Sequence, residues 1–548
     1  MLATGESLLM FVAQQGAFIN FDKLRRIHKM PSSPHIINEP LNNGAIILYV
    51  AYLVLGWLVI RSVYRLWFHP LHRIPGSKLA AVTSFYEFYF DAIKGGRYLW
   101  QIEKMHEKYG PVVRINPREV HIKDSDYFHT IASGRRDKDT YNLNTIMTPN
   151  AALGTVGHDS HKVRRHIIDR VFSKLSIAKI DSMIQEKLEI LMKRLNRARI
   201  TGTVVDLNYT LANLTTDVIS EYVYGESLGS LHEEEYQNTV VDDIQLSLGS
   251  FHYSRLSPTL LKLVRLVPMS LPGGGEKLTL EPFSRMVQLG REKSHEYLSG
   301  AISGDGVKKV TVLGALVADT VPPQEKTMER LVDESLAVLT GGILSTADVL
   351  AVALFHLGRN PSILQTLRQE LFGSLSLSGD RIAWSQQSIS ITKLEKLPYL
   401  TAVIRESLRI SHPVIVRSAR VAAHATMYKD VVIPPGTPVS QSIYFVSMDP
   451  LIFPSPEIFN PDRWIEAAAN GVNLTKFFVI FGSGSRACVG IHLAYAELYH
   501  IIAAFSSTFN WKLHQTGPED VRTARDMLLA APESGFLSIK AIITGTVE

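Results

Sequence analysis

The chain has 548 residues, 46% of them hydrophobic, and 57 Lys and Arg stand against 52 Asp and Glu for a formal net charge of +5. That supports a large apolar core, and the spread of charge leaves no basic block of the kind that binds nucleic acid. Its one cysteine, Cys488, excludes an intrachain disulfide framework, a multi-cysteine zinc site and an all-cysteine iron–sulfur cluster.

Residues 1–43 read as an N-terminal extension, in which LLMFVAQQGAFINF is either an interfacial segment or weakly structured. Residues 44–60, GAIILYVAYLVLGWLVI, carry no charge. As a helix they rise about 26 Å, close to the hydrocarbon thickness of a bilayer. With Tyr64, Trp67 and Phe68 at the interface, 44–68 is expected to be a single transmembrane anchor, a buried core helix being the alternative. Pro70 and Pro75 make 69–76, HPLHRIPG, a stiff, helix-ending connector. The basic residues closest to the span follow it, which favours a cytoplasmic body. From 77 to 548 there is no further break in composition, so this stretch is expected to be one domain. Apolar residues recur at three and four in 177–200 and 361–375, which predicts helices. PVVRINPREVHIKD from 111 and KDVVIPPGTPVSQSIYF from 429 predict short strands, giving a mostly α fold with small β-sheets.

Four stretches of this domain carry chemistry. HDSHKVRRHIIDRVFSK is a helical run with His161 and Arg165, the latter a candidate carboxylate partner or part of a solvated basic face. Residues 326–359 predict a long helix, charged at its start and then nearly uncharged. Gly341 and Gly342 in its interior cost about 2 kcal/mol relative to alanine, so packing or a ligand must compensate. Glu406 and Arg409 share a helical face and, with Arg463 of FNPDRW, could close a buried carboxylate–guanidinium network whose role is structural. Finally Phe481, Gly484, Arg486, Cys488 and Gly490 form F-x-x-G-x-R-x-C-x-G. A lone cysteine is ordinarily a small buried hydrophobe. Here glycines, an aromatic, an arginine and a following helix suit a thiolate that ligates a flat, dianionic, apolar cofactor.

The E-x-x-R at 406–409, P-x-R-W at 461–464 and F-x-x-G-x-R-x-C-x-G at 481–490, in that order and spacing, resemble the signature of the cytochrome P450 family of haem-thiolate monooxygenases. The resemblance implies the cytochrome P450 fold and haem b, with Cys488 as the metal ligand and Arg486 on a haem propionate. It further implies cofactor contacts from Arg165, His161, Gly341, Gly342, Arg420, Phe481 and Gly490, and fold-stabilising roles for Glu406, Arg409 and Arg463. Electrons would come from an NADPH–cytochrome P450 reductase, with cytochrome b5 as a further donor. The catalytic domain would face the cytoplasm from the endoplasmic reticulum membrane, the lipid bilayer being a partner of the anchor. One atom of dioxygen would enter a lipophilic secondary metabolite such as a terpenoid, polyketide or alkaloid intermediate. The substrate pocket would draw on 120–150, the apolar stretch from 251, the glycine-containing helix, VIVRSAR at 414–420 and APESGF at 531–536.

The chain departs from the family pattern at two places. Where small-Gly-x-acid-Thr is usual, it has Gly341, Gly342, Ile343, Leu344 and Ser345, with Thr346 next. Ser345, helped by Thr346, keeps a hydroxyl for proton delivery, but the local motif has no carboxylate. His161 stands where many members have tryptophan. The missing acid leaves open a haem-thiolate isomerase or dehydratase that needs no reductase. A non-enzymatic membrane scaffold would give the cysteine motif no purpose.

The anchor is testable directly. The full chain should stay with membranes through alkaline carbonate extraction, and deletion through residue 68 should reduce attachment to a peripheral one. Release of the full-length chain by carbonate would contradict the spanning segment.

Overall fold

The computed structural model of the chain describes residues 43–143, 148–233, 238–249, 251–253, 281–301, 310–375, 382–387 and 389–547. The extension before residue 43 and the apolar stretch 254–273 lie outside the described residues. The longer helices are α1 (Asn43–Val63), α2 (Tyr98–Tyr109), α3 (His158–Asp169), α4 (Asp181–Thr201), α5 (Leu207–Tyr224), α6 (Thr239–Gly249), α7 (Glu281–Leu298), α8 (Met328–Arg359), α9 (Pro361–Ser374), α10 (Pro398–Ser411) and α11 (Ile491–Thr508). The strands are β1 (Val112–Arg114), β2 (Val120–Ile122), β3 (Arg136–Lys138), β4 (Val204–Asp206), β5 (Arg420–Ala422), β6 (Thr426–Tyr428), β7 (Val431–Ile433), β8 (Pro438–Ser440), β9 (Phe509–Leu513), β10 (Arg525–Met527), β11 (Leu529–Ala531) and β12 (Lys540–Thr546). Among the described residues the fold is mostly helical with four small sheets, in keeping with the mostly α reading of the sequence.

The chain divides into two units, one through Ile60 and one from Arg61. In the first, the apolar side chains of α1 are exposed, Ile47, Leu53 and Ile60 among them. α8 in the second unit is just as apolar, yet two-thirds of its apolar window is buried (67%) against none of α1's (0%). Burial therefore separates a core helix from a candidate membrane span where hydropathy cannot. The proline-rich connector packs into the second unit. Leu71 and Ile74 bury against Val112, Val120 and Ile122, and the Arg114 N–H donates to the Pro75 carbonyl at 2.7 Å.

α8 is the axis of the core. Thr327 caps it by accepting the Arg330 N–H, and Pro361 opens the next helix directly after it. α5 lies against it closely enough that the Thr215 hydroxyl donates to the Ile343 carbonyl at 3.1 Å. A β-carbon on Gly342 would come within 2.9 Å of Ile219 Cγ1. This glycine is therefore a helix-packing residue, which offsets part of its conformational cost.

The main sheet runs β1-β2-β8-β5-β3. Its last pair is antiparallel, with Lys138 directly opposite Arg420 and Asp137 opposite Val421. Directly opposed residues project to the same face, so the register alone sets two cations side by side.

The E-x-x-R pair sits on α10 at the centre of a fully satisfied network. One oxygen of Glu406 accepts from Arg409 Nη2 (2.7 Å), Arg463 Nε (3.1 Å) and the Asn460 N–H (3.0 Å). The other accepts from Arg409 Nε (2.9 Å) and Trp464 Nε1 (2.9 Å). Arg409 also donates to the Ser447 and Pro456 carbonyls, tying α10 to the segment that leads to the cysteine loop. All three charged residues are buried. Removing the acceptor leaves two buried guanidinium groups without a counter-charge, which costs about 3–5 kcal/mol. Glu406→Ala should accordingly lower the unfolding free energy obtained from urea titration by that much, through a lower midpoint at an unchanged slope, and a loss under about 1 kcal/mol would contradict the network's role.

Candidate active site

The cysteine loop is shaped by its backbone. The Cys488 N–H donates to the Phe481 carbonyl at 2.7 Å, closing the loop on itself. Gly484 has φ +68, and a β-carbon there would lie 2.2 Å from the Ala132 carbonyl oxygen, so only glycine fits. α11 begins three residues after the cysteine, with Gly490 as its N-cap. Gly490 itself is under no such steric demand, since a β-carbon would stand 4.0 Å from the Cys488 sulfur. The Cys488 side chain is hemmed in by protein yet keeps an open face. Burial pushes its thiol up, and the Gly490 N–H and the Arg165 charge act against that. Phe481 is half-buried beside it, with its ring centroid 5.4 Å from that of Tyr495.

Around this loop the structure gathers basic side chains, and of these only Arg165 has a carboxylate ion-pair partner among the described residues. Arg486 donates through Nη1 to the Thr155 carbonyl (2.6 Å) and through Nη2 to the Val156 carbonyl (2.8 Å), while its Nε is buried without a partner. Arg420 donates to the Ser418 hydroxyl at 2.6 Å, and its Nε is likewise unpartnered. Lys138 donates to the Leu153 carbonyl at 2.5 Å. His161, buried on α3, has an unpartnered Nδ1. Arg165, one turn further, donates to the Ala487 carbonyl at 2.5 Å and pairs with Asp169. It therefore braces the cysteine loop itself. Among the described residues no carboxylate forms an ion pair with Lys138, Arg420 or Arg486.

The electrostatic consequence is uniform. Burial brings Arg420 and Arg486 down to about 10, Arg420 adding to the effect on Arg486 while Asp137 opposes it. Burial, with Arg420 and Arg486 adding, lowers Lys138 from 10.5 to about 7. Burial and the charges of Arg486, Lys138 and Arg165 hold His161 down at about 3. Like charges directly opposed across strands are unfavourable, and desolvation compounds the cost. Unmet donors and uncompensated positive charge beside an open thiol fit a ligand that brings two negative charges at one edge and a metal at its centre.

Gly341 on α8 faces open space, with nothing within 4 Å of a β-carbon built there, unlike Gly342. The Ser345 hydroxyl donates to the Gly341 carbonyl at 2.7 Å, a bond back along its own helix. Thr346 and Leu344 are buried. A cavity of about 10 Å³ is lined by Leu344 and Asp348 of α8 together with Met527, Leu529, Ala531 and Phe536. This brings together the glycine-containing helix and the APESGF segment, two of the expected pocket elements. VIVRSAR divides: Arg420 joins the cation group, whereas Arg417 is buried in ion pairs with Glu87 and Glu119. Of the stretch from 251, only 251–253 is described.

Two residues escaped the sequence reading. Lys138 lies in the polar run GRRDKDTY, inside the 120–150 stretch expected at the pocket, where no local pattern singles it out, and only the register opposite Arg420 reveals it. Asp348 is the single charge in LAVLTGGILSTADVLAVALF, a signal that was visible in the sequence.

Comparison with known proteins gives a match to the family model described as Cytochrome P450 over residues 88–539. The chain is 42% identical to the cytochrome P450 monooxygenase aflU of Aspergillus parasiticus over 496 residues, covering 90% of this chain and 97% of that protein. It is 38% identical to the cytochrome P450 monooxygenase pbrB of Penicillium brasilianum over 502 residues, 89% of this chain and 95% of the relative. It is 40% identical to the conidiogenone synthase PchP450 of Penicillium rubens over 477 residues, 86% of this chain and 94% of the relative.

The cation group makes a pH prediction for the cofactor-free protein. Between about pH 7 and 10.5 the unfolded chain holds a proton at Lys138 that the folded chain does not, so this residue's penalty is full below pH 7 and fades as pH rises. Lys138→Met should raise the urea midpoint at or below about pH 7 and gain less by about pH 9. A variant less stable than wild type at pH 7, with the same pH slope, would contradict the assignment.

Proposed function

The chain belongs to the cytochrome P450 family, and on that premise we propose that Cys488 would hold the iron of haem b and that Arg486, Arg420, Lys138 and His161 would receive its two carboxylates. Family membership carries the cofactor and the need for an NADPH-dependent reductase. The assignment of residues rests above all on one observation, the opposition of Lys138 and Arg420 across β3 and β5 without an acid between them.

The chain is a haem-thiolate monooxygenase, and bound haem supplies the reductive activation of dioxygen. The protein does the rest. The Cys488 thiolate would hold the metal, and Arg165 fixes the loop that carries it through the Ala487 carbonyl. Phe481 shields the sulfur from water, and Gly341 leaves the face of α8 free of a side chain. Ser345, with Thr346 beside it, offers the hydroxyl that orients a proton donor on that side. Its bond to Gly341 must open, or be shared, for it to do so. Leu344 of α8, Met527 and Leu529 of the β10–β11 hairpin and Phe536 close around a small, largely apolar cavity that keeps bulk water from this side of the helix.

A lipophilic terpenoid, polyketide or alkaloid intermediate suits an enzyme whose substrate arrives through a bilayer. In this reading 1–43 is an extension, 44–68 a single-pass anchor in the endoplasmic reticulum membrane, 69–76 the proline-rich segment and 77–548 the catalytic domain facing the cytoplasm. Cytochrome b5 is a second electron donor. The exposed apolar surface of α1 supports the anchor.

Cys488→Ser should abolish the thiolate-type spectrum of the reduced, carbon-monoxide-bound protein, and retention of that spectrum with full activity would overturn the ligand assignment. Microsomes coupled to reductase should convert lipophilic metabolites to products heavier by one oxygen atom, with consumption of NADPH. Conversion without NADPH would instead favour the isomerase or dehydratase reading.

A further inference from the structure

Between Leu336 and Phe355 of α8, Asp348 is the only charged side chain. It stands four residues beyond Leu344, about 6 Å along the axis and about 40° around it, so the two share a face. The geometry points to Asp348 as the proton-relay acid of this enzyme, replacing the carboxylate missing at 344 and passing protons from the surface side of the C-terminal hairpin toward the Ser345 hydroxyl. This rests on the monooxygenase reading above.

Position and surroundings carry the inference. Asp348 lies where two cavities meet, each of about 10 Å³ and each with room for one water. The first runs to Leu344, the residue before Ser345, and offers Gln245 as a further polar group. The second runs to Ser411 and Thr523, next to the exposed Arg522. Ala530, Ala531 and Leu537 line both, so the acid is the polar joint between them. Such an arrangement is too small for a substrate and suited to a file of waters.

The carboxyl is also held in place. Asn208 donates through Nδ2 to Asp348 Oδ1 at 3.0 Å, and its own Oδ1 accepts the Ile539 N–H at 3.2 Å, which fixes the amide with its NH₂ toward the acid. Burial raises the carboxyl to about 7, Asp206 adding and the Asn208 bond opposing. Asp206, the N-cap of α5, is the charged group whose field reaches it. α6 presents Gln245, and the β10–β11 hairpin presents Met527, Leu529 and Ala530. Beyond Thr523, on the α10 side, stands His412, which burial keeps neutral by lowering it to about 3. An acid half-protonated near neutrality can both give and regain a proton. In the relay the Asp348 O–H proton passes to a water in the first cavity, and the carboxylate regains one from a water in the second. No electron moves, and the residue ends as it began.

The test uses the haem-loaded enzyme with reductase. Asp348→Asn should keep the thiolate-type carbon-monoxide spectrum while product per NADPH falls by about tenfold or more and hydrogen peroxide takes the difference. Wild-type coupling should decline as pH rises through about 7, the profile should be flat in Asp348→Asn, and Asp348→Glu should restore both. Asn208→Ala, which removes the opposing hydrogen bond, should move the midpoint upward, and it serves as a second variant if Asp348→Asn folds poorly. Independently of turnover, infrared pH-difference spectra should contain the carbonyl stretch of a buried protonated carboxyl that titrates near neutrality and is lost in Asp348→Asn. Wild-type coupling and pH profile in Asp348→Asn, or persistence of that band in the variant, overturns the relay. Substrate conversion without NADPH, with the band in place, overturns the monooxygenase reading instead.

Discussion

Lys138, buried, and Arg420, half-buried, face each other across an antiparallel strand pair, among the described residues neither forms an ion pair with a carboxylate, and the proposed site is organised around that uncompensated charge. Burial of one unpaired cation is costly, and here the sheet register, α3 and the cysteine loop deliver several to the same place. Lys138 and Arg486 use their donors on backbone carbonyls and Arg420 uses one on the Ser418 hydroxyl, bonds that hold these side chains in position without neutralising them. A fold that keeps such a group is pre-set for a dianion and improves when one arrives. On the proposed reading, the thiol two residues after Arg486 would have its partner supplied by the same ligand.

The Glu406 network shows the opposite arrangement, and the contrast clarifies both. There one carboxylate accepts five hydrogen bonds from two guanidinium groups, an indole and a backbone amide, so nothing is left over for a ligand. Its influence reaches the cysteine loop through packing. Trp464, which donates to Glu406, meets Phe478 at 5.5 Å between ring centroids, Phe478 meets Phe481 at 6.4 Å, and Phe481 opens the loop. A satisfied ion network thus supports, through a row of aromatic rings, the loop that presents an unsatisfied one.

Much of this was legible in the sequence where local rules govern. Helix periodicity gave α4 and α9, a long and nearly uncharged run gave α8, and glycine spacing around the lone cysteine gave the loop, since φ of +68 at Gly484 and a carbonyl 2.2 Å from a would-be β-carbon admit no other residue. What depends on pairing between distant segments was not legible. Lys138 and Arg420 are far apart in the chain, and their opposition exists only in the sheet register. The two helix glycines looked equivalent, yet one faces open space and the other packs on Ile219, a distinction set by where α5 lies. Equal hydropathy in α1 and α8 likewise hides opposite burial.

The central claim is that the cation group exists to bind the two carboxylates of the cofactor. The most direct measurement reconstitutes wild type, Lys138→Met and Arg420→Met with haem b and with its dimethyl ester, and follows cofactor release. The account predicts that esterification speeds release from wild type by about tenfold or more, and that each substitution does so with haem b but adds little with the ester. Equal release of haem b and its ester from wild type, or equal effects of the substitutions on both, would contradict it.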